Sequence, residues 1–91
     1  MRAPFFPLGR IVATPGALKL LKEAGEDPLR YPACHALEDW GEIDKQDQRE
    51  NELSLMYGWR VLSSYNIGEE IVWVITEADR SVTTILLPEE Y

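Results

Sequence analysis

The sequence predicts an α+β domain in the order β-α-α-α-β-β-β, a three-stranded antiparallel C-terminal meander with helices packed on one face. Three observations predict it. Helix-start signals recur at Thr14-Pro15, Asp27-Pro28 and Asp44. Glycine stops follow at Gly25, Gly41 and Gly58. Beyond Gly58 the apolar period shortens from helical spacing to β-rich runs separated by polar turns.

The elements follow in order. Residues 1–8 are rich in Pro and Phe and read as irregular chain, with Phe5, Phe6 and Leu8 packing onto the domain. "GRIVA" (9–13) is a short β-branched strand. Thr14 caps a helix over 15–24, whose Ala17, Leu18, Leu21 and Ala24 recur at helical spacing. A second helix begins at Asp27-Pro28 or near Pro32, because a mid-helix proline deletes a backbone bond. Leu29, Ala33, Ala36 and Leu37 are its expected inner face. The third helix runs from Asp44 to Tyr57, with Asp47 favoured in its first turn by the helix dipole. Only Leu53, Leu55, Met56 and Tyr57 are available to anchor it, so its first turns project into solvent. "WRVLSSYNI", "IVWVIT" and "VTTILL" are three strands, joined by links too short for parallel crossovers.

The 91 residues suit one domain, which at this size buries about 60–65% of its unfolded surface. One cysteine, no signal-peptide pattern in "MRAPFF" and no long apolar run point to a reducing cytoplasm and no membrane. The net charge of −7 disfavours direct binding of nucleic acid. That charge is concentrated. Between Glu38 and Glu52 lie seven acids against Lys45 and Arg49. Such a run is either a solvated helix face or a docking surface for a basic partner.

The nonapeptide "ACHALEDWG" holds the only Cys (Cys34) and the only His (His35). His35 and Asp39 are four apart, so on a helix they share a face and tie off its end as a pair. Cys34 projects about 100° away from His35, and zinc needs three or four converging ligands, so no metal or other cofactor is expected. The acids nearby raise the Cys34 thiol pKa, making it a small apolar residue rather than a nucleophile. Trp40 is expected to join Trp59 and Trp73 in one aromatic cluster, with an exposed binding anchor as the alternative. Asp79 and Arg80 form a turn with a salt bridge, or a recognition loop. No phosphate loop, CxxC, HExxH or G-x-S-x-G motif is present.

His35…Asp39-Trp40-Gly41, "GRIVATPGAL" and "VWVITEADRSVTTILLPEEY" together resemble a group of small bacterial proteins of plasmids and integrated elements. These are labelled "plasmid-related protein" or, loosely, "type I restriction endonuclease subunit M". The resemblance covers most of the chain and implies a mobile-element setting, with no established activity. Members of the group carry Gly at the position of Glu38 and lack Pro32.

The reading carried forward is a non-catalytic accessory or host-interference protein that docks a basic protein surface. Its binding candidates are Glu38, Asp39, Trp40, Glu42, Asp44, Asp47, Asp79 and Arg80. A small RelE- or barnase-like RNase is the enzymatic alternative, with His35, Arg60, Tyr65, Glu77 and Arg80 positioning phosphate and moving protons. A structural homodimer built on "IVWVIT" is the third.

Overall fold

A computed structural model describes residues 6–91, so the expectation for Phe5 falls outside the described residues. The elements are β1 (Arg10–Ala13), α1 (Pro15–Glu23), α2 (Arg30–Ala36), α3 (Lys45–Tyr57), β2 (Val61–Ile67), β3 (Glu70–Thr76) and β4 (Val82–Leu86), followed by a 3-10 turn at Pro88–Glu90. The predicted order holds. β2, β3 and β4 form the antiparallel meander. The sheet, however, is mixed: β1 adds to β4 in parallel, giving the order β1-β4-β3-β2. "IVWVIT" is therefore an interior strand, flanked on both sides, and not an edge for a partner.

The pairing registers place Val61, Ser63, Tyr65, Val72, Val74, Thr76, Thr83 and Ile85 on one face of the sheet. α1 and α2 cover it: Ala17, Leu21 and Tyr31 pack with Tyr65, Ile67, Val72, Val74 and Ile85. α3 lies at the β2 edge of this face, where Asn51 bonds the Leu62 backbone and Leu55 packs against Phe6, Trp40 and Val61. On the opposite face Tyr91 packs its ring edge-on against Trp73, bringing the chain end across the sheet.

Caps explain why the helices sit where they do. Thr14 accepts the Ala17 N–H, and Pro15 needs no partner at the first helical position. α1 ends in a Schellman motif: Gly25 at φ 72°, with its N–H on the Lys22 carbonyl and the Glu26 N–H on that of Leu21. α2 begins at Arg30, so Pro32 lies in the first turn, where its missing N–H costs nothing and no kink arises. Its buried face is Tyr31, Pro32, His35 and Ala36. The expected face fails in part, since Leu29 and Ala33 are exposed. With the helix starting at Arg30, Leu29 is its N-cap and lies outside the buried face.

α2 ends in a second Schellman motif, with the Glu38 N–H on the His35 carbonyl and the Asp39 N–H on that of Cys34. Glu38 occupies the left-handed position at φ 63°, where glycine is favoured. α3 starts on the Asp44 cap, whose carboxylate accepts the Asp47 N–H at 2.8 Å, and stops at Gly58, φ 75°. Of the predicted apolar anchors, Leu55 packs against Phe6, Trp40 and Val61 and Leu53 is half-buried. Asn51 and Ser54 are its buried residues, while Met56 and Tyr57 point to solvent.

Asn51 supplies what a neighbouring strand would. Its Nδ2 donates to the Leu62 carbonyl at 2.5 Å, and its Oδ1 accepts the Leu62 N–H at 3.0 Å. Two residues on, the Ser64 N–H donates to the Trp40 carbonyl and the Ser64 carbonyl accepts the Glu42 N–H. Gly41 permits that approach: at φ 70°, a Cβ there would collide with the Ser64 carbonyl and the Tyr65 ring. Two successive outward-facing positions of β2 are thus closed to edge pairing.

Candidate functional site

The buried polar residues gather around His35. His35, Ser63, Thr76 and Thr83 all have no solvent exposure, and their side chains form one chain of hydrogen bonds. Its direction follows from its last member. The Thr83 hydroxyl donates to the Leu8 carbonyl at 2.7 Å, so it accepts from Thr76, also at 2.7 Å. The Thr76 oxygen accepts from His35 Nε2–H at 3.0 Å. Nδ1 is left as acceptor for the Ser63 hydroxyl at 2.5 Å. The chain of bonds fixes a proton on Nε2, and burial of the ring keeps it neutral, with none on Nδ1. Phe6 and Trp40 enclose it edge-on, at centroid distances of 5.3 and 5.7 Å. Burial, and secondarily the Arg80 guanidinium, push its pKa down to about 3.

A serine hydroxyl on an imidazole nitrogen is half of a nucleophile-and-base arrangement. Here neither residue touches solvent, so no substrate atom reaches the Ser63 oxygen. A neutral His35 also provides no cation for phosphate. The predicted His35–Asp39 pair is not formed. His35 turns inward to the sheet, and Asp39 stays exposed, its carboxylate on the Gly41 N–H at 3.4 Å. The backbone Schellman motif performs the tying-off expected of that pair.

Arg80 is a staple. Its Nη1 donates to the Trp59 carbonyl at 2.6 Å and the Glu77 carbonyl at 3.2 Å, and its Nη2 donates to the Ser54 carbonyl at 3.1 Å. The cation thus serves carbonyls at the C-terminal end of α3, where the helix dipole favours positive charge. It also lies over the Phe6 ring, 5.6 Å from the centroid. The expected Asp79–Arg80 salt bridge is absent. Asp79 instead accepts the Ser81 N–H and hydroxyl, which hold its carboxyl below the usual range.

The remaining members of the RNase set do not converge with these. Tyr65 is buried, its hydroxyl donating to the Asp39 carbonyl at 2.5 Å. Arg60 and Glu77 lie on the other side of the sheet, joined at 3.3 Å, with Arg60 also donating to the Tyr91 hydroxyl. The five candidates therefore occupy a sealed core, a carbonyl staple and an opposite surface, with no common space for a phosphate.

Of the binding set, Glu38, Asp39, Glu42 and Asp44 are exposed and Asp47 is half-buried. Trp40 is not a surface anchor. It is buried with Phe6 and Val61, and partly buried Leu8, Ile43 and Leu55 pack against them. The predicted triple-Trp cluster is divided: Trp59 stacks on Tyr57 in solvent, and Trp73 meets Tyr91. Cys34 is half-buried against the main core, its thiol pKa raised first by burial and then by Asp39. Among the described residues no cluster of three or more His, Cys, Asp or Glu could hold a metal ion. No helix among them is long and apolar enough to cross a membrane.

Sequence reasoning missed Asn51, Ser63, Thr76 and Thr83. The available signal was alternation: Ser63 and Thr76 fall at inward positions of otherwise apolar strands. No protein-family model, curated protein or solved structure matches the chain.

Proposed function

We propose that the chain is a non-catalytic interaction protein that docks its acidic segment, Glu38 to Glu52, on a basic surface of a protein partner. One observation carries this. Among the described residues the ion pairs are Arg30–Glu26 and Arg60–Glu77, so none of the segment's seven carboxylates makes a contact ion pair with a described cation, and the segment keeps its net charge of −5. Such a field steers a cationic partner and repels nucleic acid backbones. Trp40 drops out of the binding set because it is buried, and Asp79 and Arg80 because their turn and staple occupy them. The resemblance to plasmid-borne proteins supports a mobile-element setting for this activity, and the lone cysteine suits a cytoplasmic one.

The test is capture of host proteins on the immobilised chain, with Glu38, Asp39, Glu42, Glu50 and Glu52 reversed to Lys. Asp44 and Asp47 are left intact to preserve the start of α3. The proposal expects salt-sensitive partners that the reversed chain no longer retains. An unchanged set of captured proteins overturns it.

A further inference from the structure

We draw no further inference here: the strongest candidate, the exposed Met56, Tyr57 and Trp59 patch at the C-terminal end of α3, is a short apolar face with Arg49 and Arg60 as well as Glu50 and Glu52 close by in the chain, and nothing in the structure shows what covers it.

Discussion

Lowering the pH from 6.5 to 5 should destabilise the protein through His35 alone. The folded state holds this imidazole neutral, with a pKa of about 3 against 6.5 in a free chain. The unfolded state therefore takes up a proton below pH 6.5 that the folded state refuses. Stability is full above 6.5 and falls with pH until about 3. Each unit between costs about 1.4 kcal/mol. The loss is roughly 2 kcal/mol by pH 5 and on the order of 5 kcal/mol by pH 3. A domain of this size has about 5–14 kcal/mol in all, so the first figure is readily measured. The window from 6.5 to 5 isolates the effect. His35 is the only histidine, and carboxylates held low, such as Glu90 on the Thr14 hydroxyl, act only below their ordinary range. The assay is urea unfolding at several pH values, beside an NMR titration of the imidazole. A flat unfolding free energy across that window would refute the reasoning. So would an imidazole of the folded protein that titrates near 6.5, or one carrying its neutral proton on Nδ1.

Three further outcomes follow from the geometry. Glu38→Gly relieves a side chain in the left-handed conformation and should stabilise by about 1 kcal/mol, raising Tm by a few degrees in a thermal melt. Asn51→Ala leaves the Leu62 N–H and carbonyl without their partner and should cost about 3 kcal/mol by chemical denaturation, while exposing a strand edge that promotes aggregation. Arg80→Ala should lower stability by about 1–2 kcal/mol through the lost carbonyl contacts, with no change in host growth or RNA integrity on expression. Growth arrest by the wild-type chain that Arg80→Ala relieves at unchanged stability would restore the phosphate-binding reading of this residue.

Much of the local structure is written in adjacent residues. Thr14-Pro15, Asp44 and the glycines at 25 and 58 start and stop helices through bonds spanning a few positions, so the element order and most boundaries could be read directly. The concentration of acids between Glu38 and Glu52 is likewise a property of the chain alone. Partner choice over long separations is different. β1 has no nearby strand with which to pair, and nothing in "RIVA" names β4. The delayed start of α2 was hidden because Asp27-Pro28 is a valid cap that here initiates only a turn. That shift decides which of its residues point inward. His35 reads as half of a pair with Asp39 from spacing, yet its nitrogens are claimed by Ser63 and Thr76, brought beside it only when β2 and β3 pair beneath α2.

Sequence by itself thus determined the composition of the segments, their order and the placement of charge, because caps, periodicity and net charge act locally or additively. Tertiary structure decided which polar groups are sealed from water and which apolar ones are left in it. Asn51 is buried because the Leu62 backbone requires a partner. Met56 and Tyr57 are exposed because that same bond helps fix the rotation of α3. The strand edge bonded by Asn51 and the Trp40 cluster covered by Leu55 set that rotation together, and no reading of the helix alone contains either.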